Sequence, residues 1–132
     1  MRLINFWLCF VVLAACGAGC QSGPTLRVTA VQLGRSLNAD GTVGSFTATF
    51  KPAETVYVSV LTAGAGDATL SVRWMYAGRI LAEPKKQLSV KDVAATEFNL
   101  QSATGFPPGQ YTVEVFMDGQ PVETRKFTVE TR

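Results

Sequence analysis

The chain has no histidine, and that absence removes much of the chemistry open to a protein of this size. A serine or cysteine nucleophile paired with an imidazole base is excluded, as is any metal site built on imidazole nitrogen. Carboxylates, cysteines and loops remain. Glu114 and Glu123 flank the Asp118-Gly119 turn, and two carboxylates brought together across a hairpin are the minimum for acid–base or glycosidic work. Arg125 and Lys126 stand beside them. On a solvent-facing hairpin the ordinary role of such groups is surface charge pairing, which is the reading adopted here. Asn38-Ala39-Asp40-Gly41 begins like a calcium loop, but too few carboxylates follow to supply the oxygen ligands calcium needs, so a glycine-terminated turn is expected. Gly64-Ala65-Gly66-Asp67 is glycine-rich. It lacks the following lysine and helix of a phosphate-binding loop and reads as a hairpin loop. No catalytic constellation, no metal and no cofactor is expected, and the chain reads as a non-enzyme.

Phe106-Pro107-Pro108 is the loop best suited to binding. An apolar ring followed by two prolines makes a rigid surface, and loops held by a scaffold are where binding residues concentrate. The opposing expectation is that Phe106 folds back to cap the core, as isolated apolar loop residues do.

The elements that must position these residues read as strands. Leu26, Val28 and Ala30 alternate with Arg27, Thr29 and Val31; Phe46 to Phe50 alternates after a glycine-rich turn; and Thr55 to Thr62 is rich in β-branched residues. Leu70, Val72, Trp74 and Tyr76 share one strand face, with Ser71, Arg73 and Met75 on the other. Ile80-Leu81, Gln87 to Val90 and Thr96 to Leu100 are shorter candidates, and Lys91 to Asn99 is the only stretch where a turn of helix fits. Tyr111, Val113 and Val115 alternate with Thr112, Glu114 and Phe116, and Asp118-Gly119 then returns the chain through Val122 to Val129. A strict two-residue loop would pair Val115 with Val122 and turn Phe127 and Val129 to solvent. Either a three-residue loop with a bulge, or a bulge between Val122 and Phe127, keeps them inside, and the bulge is preferred. Lys85-Lys86 beside Pro84 suits a lysine-protected edge strand or, equally, contact with anionic headgroups.

Residues 25–132 therefore read as one all-β domain, an immunoglobulin-like β-sandwich of about seven strands. Trp74 sits mid-strand where such sandwiches bury a tryptophan, and Gly109-x-Tyr111 opens the penultimate strand as a tyrosine corner would. With 47% hydrophobic and 17% charged residues the composition is globular, and a net charge of +2 gives no electrostatic footprint for nucleic acid.

The N-terminal residues belong to a different class. Met1-Arg2 precedes an apolar run from Leu3 to Ala15 broken only by Asn5. The run falls short of the about 20 residues a spanning helix needs, and no stop-transfer charges follow, so it reads as a signal peptide. Leu13-Ala14-Ala15-Cys16 resembles the lipobox of bacterial lipoproteins. The resemblance implies cleavage before Cys16 and a diacylglycerol on its thiol, dividing the chain into a signal over 1–15, an acylated cysteine and flexible tether over 16–24, and the folded domain over 25–132. Gly17-Ala18-Gly19-Cys20 is a weaker second match, since Gly17 replaces the leucine. Gly17 rather than aspartate after Cys16 implies the outer membrane in a Gram-negative envelope. Of the three cysteines, Cys9 leaves with the signal, Cys16 is acylated and Cys20 stays in the tether, as an incidental thiol or an intermolecular partner. The domain itself has no internal disulfide.

Phe50-x-Pro52-x-x-Thr55-Val56-Tyr57, Val72-x-Trp74, Thr96-x-Phe98, Gly105-Phe106-Pro107-Pro108-Gly109-x-Tyr111-x-Val113-x-Val115, Asp118-Gly119 and Phe127-Thr128-Val129 together resemble the single Ig-like domain of uncharacterised secreted bacterial proteins and lipoproteins. The motifs are largely turn chemistry and speak to fold. The functional expectation is a membrane-anchored envelope lipoprotein. It would reach the membrane through lipid on Cys16 and act as a non-enzymatic Ig-like module that binds or scaffolds another envelope protein. The alternatives are a secreted protease inhibitor or small enzyme acting through Phe106 to Gln110, and an adhesin-like carbohydrate binder.

Overall fold

In the computed structural model, which describes residues 25–132, the alternating stretches form nine strands: β1 (Arg27–Gly34), β2 (Thr49–Phe50), β3 (Val56–Ala63), β4 (Gly66–Tyr76), β5 (Arg79–Ala82), β6 (Lys85–Val90), β7 (Val93–Leu100), β8 (Gly109–Met117) and β9 (Gln120–Val129). The signal segment, Cys16 and the tether lie outside the described residues. One sheet has the order β1-β3-β7; the other runs β2-β9-β8-β4-β5, with β6 also on β4. β5 and β6 lie along the same edge of β4, where Trp74 faces Ala82 and Ser71 faces Lys85. Between them the Val72 amide donates to the Pro84 carbonyl at 3.1 Å. They are one long edge strand interrupted at Pro84, which has no N–H to give. Counted this way, about seven long strands and the two-residue β2 make an immunoglobulin-like β-sandwich.

The core lies between the sheets. Val58 and Val60 of β3 meet Leu70, Val72 and Trp74 of β4 and Val113 and Val115 of β8, all buried. Trp74 packs edge-on against Phe127, with ring centroids 6.0 Å apart.

Several details differ from the sequence expectations. β1 carries a bulge at Thr29, since Val28 faces Thr62 and Ala30 faces Leu61. The slip moves Val31 and Leu33 into the core, where simple alternation had placed Val31 outside. Phe46 to Phe50 is not a full strand: Phe46 makes one bridge to Gly34 and is 67% exposed, and only Thr49–Phe50 pair with β9. Residues 35–46 instead fold back over the outer face of the three-stranded sheet. The Ser59 hydroxyl there donates to the Gly41 carbonyl at 2.7 Å, and Val43 is buried. Gly34 permits this approach, because a Cβ there would lie 2.3 Å from Val43 Cγ1. Lys91 to Asn99 holds no helix, and β7 runs through it beside β3. Gly64-Ala65 is not a hairpin loop either. It carries the chain from β3 in one sheet to β4 in the other, with Gly64 at φ 102°.

The terminal hairpin keeps its two-residue loop and takes a bulge, as preferred, but nearer the turn than the expected stretch between Val122 and Phe127. Phe116 faces Pro121 while Val115 faces Glu123, so Val122 is the extra residue. Beyond it Tyr111 faces Phe127, and both are buried.

Candidate binding surface at one end of the sandwich

β4 ends at Tyr76, and a two-residue turn, Ala77-Gly78, with both residues at positive φ, returns the chain into β5. β8 begins beside it at Gly109. Tyr76 and Tyr111 face each other across the β4–β8 pair, their rings stacked at 4.3 Å. Each hydroxyl fixes the incoming loop: Tyr111 donates to the Pro107 carbonyl at 2.5 Å and Tyr76 to the Pro108 carbonyl at 3.1 Å. The first of these bonds is the expected tyrosine corner. Burial, then the neighbouring Tyr76, raises the Tyr111 pKa above its ordinary value, which keeps the hydroxyl a donor. Gly109 sits at φ 138° with the Tyr76 ring 3.2 Å from where a Cβ would stand, so a side chain here would strain the backbone and crowd the ring.

The structure divides the Phe106-Pro107-Pro108 loop. Phe106 is turned inward and buried, its ring edge-on to Tyr111 at 5.9 Å and its amide donating to the Pro52 carbonyl at 2.8 Å. Pro107, Pro108 and Gln110 remain exposed. The loop therefore presents rigid proline surface rather than a large protruding ring. Next to it is a cleft of about 370 Å³ between the β4–β5 turn and the end of β7. Tyr76, Leu81, Leu100, Phe106 and Pro107 supply its apolar walls, with Arg79, Gln101 and Ser102 also lining it. Arg79, Leu81 and Gln101 were not legible as site residues, because only the fold brings their segments together.

The other sequence candidates stay apart from this cleft. Glu114 faces Thr124, not Glu123, and Glu123 reaches Arg125 at 3.1 Å. Asp40 accepts hydrogen bonds from the Thr42 hydroxyl at 2.6 Å and amide at 3.0 Å, a turn closed on itself that lowers the Asp40 pKa. Lys85 and Lys86 lie half-way along β4, opposite Ser71 and Leu70. Lys86 bridges the open side of the sandwich by donating to the Glu97 carbonyl, its ammonium 5.0 Å from the centre of the Phe98 ring. Trp74 is fully buried and presents no exposed platform.

No family model and no curated protein sequence matches the chain. Solved structures do. An immunoglobulin-like protein from Pseudomonas aeruginosa superposes with a TM-score of 0.55 at 11% identity, over 81% of this chain and 98% of that one. The C-terminal domain of wzt gives a TM-score of 0.55 at 12% identity, over 81% and 74%. A β-glucosidase from Listeria innocua gives 0.50 at 14% identity over 80% of this chain, which spans 16% of that enzyme's length. Identities this low establish the fold alone. The chain is an Ig-like sandwich.

Proposed function

We propose that this protein is a lipid-anchored component of a bacterial envelope, with a non-enzymatic Ig-like domain that binds or scaffolds another envelope protein. The observation that carries the reading is Leu13-Ala14-Ala15-Cys16 at the end of an apolar run. Two acyl chains contribute about 0.8 kcal/mol per buried methylene, which holds a small domain at a membrane. A short glycine- and serine-containing tether and a domain with no cysteine of its own suit that arrangement. The rigid cleft at one end of the sandwich gives the domain a surface for a partner, and Gly17 after Cys16 favours the outer membrane.

Labelling cells with radioactive palmitate tests the anchor. The wild-type chain should carry label and run at the processed size. Cys16→Ala should lose the label and accumulate as precursor, as the wild type should under globomycin. Cys20→Ala should behave as wild type. A Cys16→Ala protein that is processed, labelled and fractionated like the wild type would overturn the reading.

A further inference from the structure

We infer that the cleft beside Tyr76 and Phe106 docks an extended segment of a partner protein carrying a large apolar side chain next to a carboxylate. The inference names the partner chemistry of the binding module proposed above and rests on that reading. Three observations lead to it. First, the cleft holds about 370 Å³, enough for one large side chain, with walls of Tyr76, Leu81, Leu100, Phe106 and Pro107. Its floor is preformed, because both tyrosine hydroxyls are already bonded to the Pro107 and Pro108 carbonyls. A guest therefore orders little of the protein when it enters, and a hydroxyl-rich ligand would find those two groups already engaged.

Second, Arg79 is the one charged residue lining the cleft, and, like Arg27, Lys51, Lys85, Lys91, Lys126 and Arg132, it has no carboxylate partner among the described residues. Arg35, Arg73, Lys86 and Arg125 each reach a glutamate. An unopposed guanidinium next to an apolar cleft selects an acidic group on whatever enters.

Third, the cleft opens along a sheet edge. β5 has β4 on one side only, so its outer amides and carbonyls have no strand partner among the described residues. Ile80 and Leu81 on this strand are 53% and 44% exposed. Leu81 is the extra residue of a bulge, since Met75 faces Ile80 and Trp74 faces Ala82, and its side chain lines the cleft. An extended peptide can hydrogen-bond along such an edge while inserting one side chain, whereas a compact small ligand would leave the edge unused.

The test is a titration of the detergent-solubilised, isotope-labelled full chain with acetyl-Val-Phe-Asp-Val-amide and with acetyl-Val-Phe-Lys-Val-amide, read from amide chemical shifts. The acidic peptide should give saturable shifts centred on Arg79 to Leu81 and Leu100 to Ser102. It should bind about three- to tenfold more tightly than the lysine peptide, the range expected for a partly exposed charge pair replaced by a repulsion. Arg79→Glu should reverse that preference, and Leu81→Asp should weaken both peptides. Both side chains are exposed, and an unchanged melting curve checks that the fold is kept. Absence of shifts in the cleft, or equal binding of the two peptides that Arg79→Glu leaves equal, would overturn the inference. Neither result depends on acylation of Cys16, so failure of the anchor and failure of the cleft are read separately.

Discussion

Trp74 is fully buried between the sheets, and its ring meets Phe127 while its strand neighbour Val113 lies alongside. Truncation to alanine should cost about 3–5 kcal/mol. A domain of this size holds only about 5–15 kcal/mol in total, so Trp74→Ala should melt far below wild type or fail to fold. A melting temperature within a degree or two of wild type would mean that the ring is not core. The indole N–H has no acceptor among the described residues. Trp74→Phe removes that unsatisfied donor, an offset of about 1–3 kcal/mol against the lost volume, and should be far milder than the alanine variant. Tyr111→Phe removes only the corner bond to Pro107 and should cost about 1 kcal/mol. Asp40 gives a pH signature. Its folded-state pKa is depressed by the bonds to Thr42, so the turn is stabilised above the ordinary aspartate range and loses this as pH falls through the lowered value. The Thr42 amide shift should titrate with a midpoint below that of an ordinary aspartate, and Asp40→Asn should abolish the titration.

Single inserted residues decide which face the elements present. Val122 is the extra residue of the terminal hairpin, and taking it up as a bulge keeps Phe127 and Val129 in the core. Deleting it gives a strict two-residue register in which Phe127 still faces Tyr111, so both should stay in the core and only the local twist of the bulge is lost. Inserting one residue after Val122 while a single bulge is kept would instead set Lys126 opposite Tyr111 and turn Phe127 and Val129 outward, at about 1.5–3 kcal/mol of burial each. The insertion should abolish the cooperative melt that the deletion keeps, and equal melts would show that the register is set elsewhere. The need for this bulge was legible, because Phe127 and Val129 are too apolar for a wet face. The bulge at Thr29 was not, because Ala30 and Val31 are both acceptable inside. The two hairpin turns show the same contrast. Asp118-Gly119 announces itself, and the structure adds that the Asp118 carboxylate accepts the Thr69 amide at 2.8 Å. Ala77-Gly78 adopts the same positive-φ turn with alanine where asparagine or aspartate is usual. Ala77→Gly should relieve about 1 kcal/mol of left-handed strain and raise the melting temperature by a few degrees. Trp74 as core followed from strand phase and its mid-strand place, and Tyr111 as a corner from Gly109-x-Tyr111 opening the penultimate strand of an Ig-type order. The cleft did not, because it joins β4, β5 and β7 across the gap between the sheets.

The direction of the chain fixes which end of the domain carries the cleft. Thr25 bridges Ala65 at the end where β3 hands over to β4, and the Asp118-Gly119 turn lies at that same end. Tyr76, Gly105 and the Pro107-Pro108 surface lie at the other. The two ends are separated by the length of β8, whose nine residues span about 30 Å. With Cys16 acylated as proposed, the chain from Cys16 to Thr25 reaches at most about 30 Å, so the Thr25 end stays within that distance of the bilayer, and a domain standing upright on it carries the cleft on the far side, toward a partner in the aqueous space. Lys85 and Lys86, half-way up the edge strand, are then too far from the headgroups to act as a membrane contact when the domain stands upright, and the Lys86 bond to Glu97 already explains one of them. Spin labels on the acylated protein in vesicles, at Gln120 near the tethered end and at Ala103 near the cleft, test this orientation through collisions with a lipid-soluble relaxation agent. Gln120 should be relaxed strongly and Ala103 weakly, and a chain lacking residues 1–16 should abolish the difference by releasing the domain. Equal relaxation at the two positions in the acylated protein would mean that the domain lies flat on the membrane. The cleft would then face the bilayer surface, and an apolar segment at the lipid boundary would displace a soluble partner as its occupant.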